Sequence, residues 1–145
     1  HAEKGLTLDP NSSAILFNSG APLAYSGRPE EAIPFLQKAI RLNPFAPAVY
    51  FDTLSVANHM VGRFDDAVEQ AKKGVEREPK NQYTHLTLAS ACISAGREEE
   101  ARAAAAEVLK INPTFSVEKF ARILPYRDRF FIDSTIENLR KAGLK

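Results

Sequence analysis

The 145-residue sequence has no tryptophan, one methionine and one cysteine, Cys92. A single thiol excludes an internal disulfide and a multi-cysteine zinc site. Charge of one sign is missing too, since nineteen basic and eighteen acidic side chains leave a formal +1. That balance gives no bulk attraction toward nucleic acid or an anionic membrane surface. No apolar run approaches the ~20 residues that span a bilayer. The stretch from His1 to Pro10 lacks the hydrophobic core of a signal peptide, so a cytoplasmic location is expected. What is present is ordinary: 44% hydrophobic and 26% charged residues exclude a disordered chain. A chain of this length suits one domain and can bury about two thirds of its unfolded surface.

The order of the residues is more informative than their proportions. Pro10, Pro44, Pro79 and Pro113 are separated by 34, 35 and 34 residues, and Gly27, Gly62 and Gly96 by 35 and 34. Ala32, Ala67 and Ala101 each follow their glycine by five residues. An arginine follows every one of these glycines, and acidic residues precede every alanine: Glu30-Glu31, Asp65-Asp66 and Glu98-Glu99-Glu100. Agreement of several residue types at one period marks a repeat architecture.

Each period reads as two helices. The stretch after the glycine opens on acidic residues, which suit the positive end of a helix dipole. It continues with apolar residues at helical spacing, as in Ala32, Ile33, Leu36, Ala39 and Ile40. The closing proline ends it, because proline disfavours helix in the residue before it. The stretch before the glycine, such as Tyr50 to Val61, keeps the same period, and glycine between the two permits a tight turn at positive φ. Pro22 and Pro34 fall inside predicted helices and are expected to bend them rather than end them.

Residues 11–113 resemble the tetratricopeptide repeat family, whose unit is 34 residues of paired antiparallel helices. The family's small first-helix residue corresponds to Gly20, Ser55 and Ala89, and its second-helix alanine to Ala32, Ala67 and Ala101. The bulky first-helix position is Leu16 and Phe51 but His85 in the third copy. The later alanine is kept as Ala39 but becomes Gly74 and Val108, so looser packing is expected there. The resemblance implies an all-α fold, a right-handed superhelical solenoid with repeats at 11–44, 45–79 and 80–113. Residues 114–145 then form a C-terminal capping helix pair, as solenoids require for solubility.

The two ends depart from the period. Residues 1–10 match the last part of a second helix, so the chain is expected to continue a longer protein with repeats upstream. That stub is also a candidate for self-association. In the tail, a helix over Ser116–Leu124 carries Val117, Phe120, Ala121 and Leu124 on one face. A second, over Asp128–Ala142, buries Phe131, Ile132, Ile136 and Leu139, with Gly143 as its C′ glycine. A cap is the favoured reading, and exposure of Phe130 and Phe131 as a partner anchor is the alternative. The segments Phe120–Asp128 and Leu139–Leu144 also resemble the end of certain bacterial proteins. In those, a class III adenylate or guanylate cyclase domain, or a winged-helix regulator, precedes the repeats. The resemblance implies a signalling enzyme as parent, without placing any of its metal carboxylates in this chain.

Candidate chemistry is sparse. His59 and His85 lie on different repeats with no partner at metal-ligand spacing, and no nucleophile, base and orienting group converge. Cys92 sits among Leu88, Ala89 and Ile93 as a small hydrophobe rather than a reactive thiol. The acidic clusters open helices, which explains them without catalysis. No cofactor or metal is expected, and the segment is read as non-catalytic. By the family's register, the concave face presents Phe17, Asn18, Ala21 and Tyr25 from the first repeat. The second supplies Asp52, Val56 and His59, and the third Tyr83, Leu86 and Ser90. Some family members grip a chaperone's C-terminal carboxylate there with lysines, arginine and asparagines, and only Asn18 fits that scheme. The expected function is therefore a protein-interaction scaffold holding an apolar or amphipathic peptide segment. The alternative is a regulatory or oligomerisation region of a larger cyclase.

Overall fold

A computed structural model describes residues 10–145; the expected upstream helix end, residues 1–9, lies outside them. The described residues form eight helices: α1 Pro10–Tyr25, α2 Pro29–Leu42, α3 Ala48–Met60, α4 Phe64–Arg77, α5 Gln82–Ser94, α6 Glu98–Ile111, α7 Val117–Arg122 and α8 Arg129–Lys141. No strand occurs among the described residues. α1 with α2, α3 with α4, and α5 with α6 make antiparallel pairs, and each pair packs on the next. α3 also touches both α1 and α5, which makes these three the inner layer.

The same turn closes each pair. Gly27, Gly62 and Gly96 sit at φ of 83°, 85° and 77°, the left-handed region that glycine enters without steric cost. The next residue's N–H reaches back to a helix carbonyl: Arg28 to Leu23 at 2.8 Å, Arg63 to Asn58 at 2.9 Å, and Arg97 to Cys92 at 2.8 Å. This 6→1 bond satisfies a carbonyl that the helix end would otherwise leave open. α1 and α2 run through Pro22 and Pro34, as expected from the uninterrupted apolar pattern. Pro29 stands at the first turn of α2, where a missing N–H removes nothing.

Small residues let the paired helices approach. A Cβ on Gly20 would lie 2.8 Å from Phe35 Cβ, so only glycine fits that crossing. Ser55 donates its hydroxyl to the Ala67 carbonyl at 2.7 Å, and Ala89 is fully buried. Around these crossings Leu36, Val68, Leu86 and Val108 are buried, each side chain contributing about 1.5–3 kcal/mol.

The tail does not stack as a further repeat would. α3 packs on α2 and α5 on α4, yet α8 packs on α5, in the inner layer, rather than on α6. The tail does extend the core: Val117, Leu139, Ala142 and Leu144 join Leu86, Cys92, Ala105 and Val108. The Val117 N–H donates to the Lys145 carbonyl at 2.8 Å, tying the start of α7 to the chain's last residue. Ser116 caps α7 by accepting from the Lys119 N–H, and Asp128 caps α8 by accepting from the Phe131 N–H at 3.1 Å. α7 ends at Arg122 rather than Leu124, leaving Ile123 at 62% exposure.

Candidate partner-binding groove

Seven residues expected on the concave face line one cavity of about 210 Å³: Tyr25, Asp52, Val56, His59, Tyr83, Leu86 and Ser90. They come from α1, α3 and α5, whose side-by-side packing brings the repeat register into a single surface. Phe17, Asn18 and Ala21 do not reach it, Ala21 being buried in the helix packing. Phe17 lies flat on Tyr50, with ring centres 4.2 Å apart and planes 2° from parallel, while Asn18 is exposed.

The opposite wall is the tail, which lies outside the repeat register that defines the concave face. Ile123, Leu124, Pro125 and Tyr126 cross the inner face, followed by Phe131 and Thr135 of α8. The Arg127 N–H donates to the Tyr25 carbonyl at 2.8 Å, so the strap is pinned to the end of α1. Edge-on ring contacts run from Tyr25 to Tyr126 at 5.5 Å, from Tyr126 to Phe131 at 5.3 Å, and from Phe131 to His59 at 5.3 Å. Edge-to-face geometry is what aromatic quadrupoles prefer. Burial pushes the Tyr126 phenol well above its usual range, reinforced by Tyr25 and Asp52.

Polar ties hold α8 in place. Asn138 Nδ2 donates to Ser94 Oγ at 2.9 Å and to the Ser90 carbonyl at 3.2 Å. Ser94 Oγ lies 2.7 Å from His59 Nε2, and, already accepting from Asn138, it is placed to donate to that nitrogen. A neutral His59 fits this arrangement, and burial lowers its pKa to about 4. His59, Leu86 and Ser90 are thus covered by the chain's own tail, whereas Tyr83 stays 47% exposed. The two tail phenylalanines divide: Phe131 is buried at 7% exposure and Phe130 is open at 81%. The α-helical spacing explains the split, because adjacent residues on a helix point about 100° apart.

Asp52 is the unusual member. The equivalent positions of the other repeats are Phe17 and Leu86, so the register itself does not call for a carboxylate. Asp52 fits because the facing residue of α4 is Gly74, where a Cβ would lie 2.6 Å from Asp52 Oδ1. The sequence difference at Gly74, expected to loosen packing, is instead filled by this side chain. Burial, and secondarily Glu78, raise the Asp52 pKa to about 7. Cys92 is buried and its thiol is pushed up to about 11, chiefly by burial, which leaves little thiolate for reaction. His85 is buried with Nε2 2.7 Å from the Pro79 carbonyl. Among the described residues, no three His, Cys, Asp or Glu side chains gather as metal ligands do.

The fold defines an α-helical repeat protein whose inner helices and tail enclose an apolar-lined groove. Family models described as "Tetratricopeptide repeat" match residues 59–119 and 15–45, together more than half of the chain. The chain belongs to the tetratricopeptide repeat family. Small glutamine-rich tetratricopeptide repeat-containing protein 2 of Mycosarcoma maydis is 35% identical over 88 residues, 61% of this chain and 25% of that protein. TPR repeat-containing protein YpiA of Bacillus subtilis (strain 168) is 26% identical over 140 residues, 97% of this chain and 33% of that protein. A protein of Rhizobium meliloti (strain 1021) assigned as an adenylate cyclase is 50% identical over 38 residues, 26% of this chain and 6% of that protein. The chain spans a third or less of the length of these curated relatives. Among solved structures, MamA superposes with a TM-score of 0.69 at 24% identity, covering 97% of this chain and 81% of that one. The second TPR domain of the human RPAP3 protein, in complex with an HSP70 peptide, gives 0.71 at 17% identity, covering 94% and 100%. These likenesses show the fold, a tetratricopeptide solenoid. Among the described residues, no helix is long and apolar enough to cross a membrane.

Proposed function

We propose that the chain holds an apolar or amphipathic segment of a partner protein on the part of its inner face that the tail leaves open. The observation that carries this is the rim: Val49 of α3 and Tyr83 of α5, each 47% exposed, stand at the mouth of the cavity. Exposed aromatic and aliphatic side chains on adjacent elements are what an apolar partner face needs. Proteins of the same fold have been solved with peptides, including the HSP70 peptide SGPTIEEVD on RPAP3 and a YopD peptide on the Yersinia enterocolitica chaperone SycD. An acidic segment of the first kind does not suit this groove, which contributes the carboxyl of Asp52. No lysine or arginine lines the cavity among the described residues. In this reading 11–44, 45–79 and 80–113 are the repeats, 114–145 is a capping helix pair that also forms one wall of the groove, and the work is cytoplasmic.

Tyr83→Ala removes a half-exposed ring that stacks on Phe120, with ring centres 6.2 Å apart. It is expected to weaken partner capture by about tenfold or more, as loss of an aromatic hot spot does, while costing about 0.5–1.5 kcal/mol of stability through that ring contact. Capture that is unchanged in this variant, or tight binding of SGPTIEEVD, sinks the reading. The second reading, a regulatory region of a nucleotide cyclase, is favoured by the 38-residue match to the Rhizobium meliloti protein. The coding sequence upstream of His1 decides it: a cyclase domain there supports it, and further repeats alone remove it.

A further inference from the structure

The tail is held firmly at its ends and loosely across its middle. Across residues 118–130 no residue is buried, whereas Val117 before them and Phe131 after them both are. Val117 and Leu139 join the core around Leu86 and Val108, and Asn138 is tied to Ser90 and Ser94. Between those anchors the described residues show one hydrogen bond to the repeats, from the Arg127 N–H to the Tyr25 carbonyl at 2.8 Å. Two ring contacts add to it, Tyr126 with Tyr25 at 5.5 Å and Phe120 with Tyr83 at 6.2 Å. Few buried contacts and few hydrogen bonds mark a segment that opens locally at lower cost than the whole fold.

The same stretch sits in the groove as a bound peptide would. α7 ends at Arg122 and α8 begins at Arg129, so the residues between them are free of helix. Pro125 biases Leu124 toward extended backbone. Exposure then alternates residue by residue: Leu124, Tyr126 and Asp128 are half-buried, while Ile123, Pro125 and Arg127 are exposed. A period of two is the signature of an extended segment lying on a surface. The inward side chains, Leu124 and Tyr126, line the cavity together with Val56 and Leu86 of the repeat wall. The groove thus already displays the chemistry that it accepts.

We propose that residues 123–127 are the groove's internal stand-in for its partner, a strap displaced by an extended partner segment carrying an aliphatic residue, proline and an aromatic residue in succession. This rests on the groove being a partner site, and it adds what the partner carries and what it removes. Val49 and Tyr83, open at the rim, meet the segment first. The strap then lifts between its anchored ends, and the partner's aromatic ring takes the seat of Tyr126 between Tyr25 and Phe131. Apparent affinity is reduced by the fraction of chains whose strap is open, so the strap sets a threshold for capture.

The test combines amide hydrogen exchange of the whole chain with titration of acetyl-Arg-Ile-Leu-Pro-Tyr-Arg-Asp-amide, a copy of residues 122–128. The Arg127 amide should be at least about tenfold less protected than the Val117 amide, which donates to the Lys145 carbonyl in the anchored part. Tyr126→Ala empties the strap's seat, and this variant should bind the peptide at least about tenfold more tightly than the parent chain. That gain should approach, and not exceed, the protection of Arg127 in the parent, since both report the closed-to-open ratio. A peptide with alanine in place of its tyrosine should bind neither chain. Pro125→Gly loosens the strap while keeping both inward side chains; it should give a smaller gain, and it serves if Tyr126→Ala does not fold. The proposal is overturned if Arg127 is as protected as Val117, or if no folded variant binds the peptide more tightly than the parent. It is overturned too if protection at Arg127 rises with chain concentration, which would put a second copy's strap in the groove. None of these readouts involves the natural partner, so they stand apart from the Tyr83→Ala capture experiment, which tests the partner reading itself.

Discussion

The groove has two walls, and they are held by different means. The wall of α1, α3 and α5 is built from devices used three times: a left-handed glycine, an arginine N–H closing the helix end, and a small residue at the crossing. The tail wall is built from devices used once: the Ser116 and Asp128 caps, the Asn138 amide among Ser90 and Ser94, and the Arg127 N–H on the Tyr25 carbonyl. Periodic construction spreads stability over neighbouring repeats, whereas single contacts concentrate it in a few side chains. One substitution should therefore disturb the tail wall more than the repeat wall, and the function of the groove depends on which wall yields.

Phe131→Ala is the largest expected effect on the tail wall. The ring is buried and meets both His59 and Tyr126, so its removal opens a cavity between the walls. A loss of about 3–5 kcal/mol is typical of a buried phenylalanine, less whatever the strap recovers by collapsing. Chemical denaturation gives the loss, and faster amide exchange at Arg127 and Tyr126 would show that the strap has come away from Tyr25. A loss below about 1 kcal/mol would mean the tail is not held by this ring, and the contrast between the walls would fail.

Asp52→Asn probes the repeat wall and works in the opposite direction. The folded chain keeps the Asp52 proton to a pKa of about 7 against an ordinary 3.8, so the unfolded chain ionises first as pH rises. Stability therefore falls from about pH 4 to pH 7 through this group and is level above, by an amount of the order of 4 kcal/mol. His59 opposes it: its folded pKa of about 4 lies below the ordinary 6.5, so its contribution to stability rises with pH across that interval. The parent chain should show a shallow pH profile, and the variant should gain most at about pH 8 and little at about pH 4. A gain equal at both ends would show that Asp52 is ionised throughout.

These effects also bear on what could be read from the residues. The proline and glycine spacing identified the pairs, the turns and the inner register, and seven of the ten named groove residues line one cavity. Phe17 was lost because its ring stacks on Tyr50, a contact between repeats that no single repeat's pattern contains. The tail wall was not legible. Apolar spacing gave both helices, but nothing in Pro125-Tyr126-Arg127 says that the chain turns back toward Tyr25, since that bond joins residues more than a hundred positions apart. Gly74 was visible as a departure from the repeat, and its meaning needed the facing Asp52.

The smallest effect is the sharpest comparison, because it concerns the neighbour of the most sensitive residue. Phe130 precedes Phe131 on α8 and is 81% exposed, so it leaves almost no apolar area to lose. Phe130→Ala should change stability by no more than about 0.5 kcal/mol, with alanine's better helix propensity offsetting the few contacts removed. Thermal unfolding beside Phe131→Ala checks this in one experiment. If Phe130 also anchors a partner, capture falls while the unfolding transition stays in place, which separates binding from structure within two adjacent residues. If stability falls by more than about 1 kcal/mol, the outer side of α8 is packed in solution. The tail would then be a broader element than a wall with one buried face.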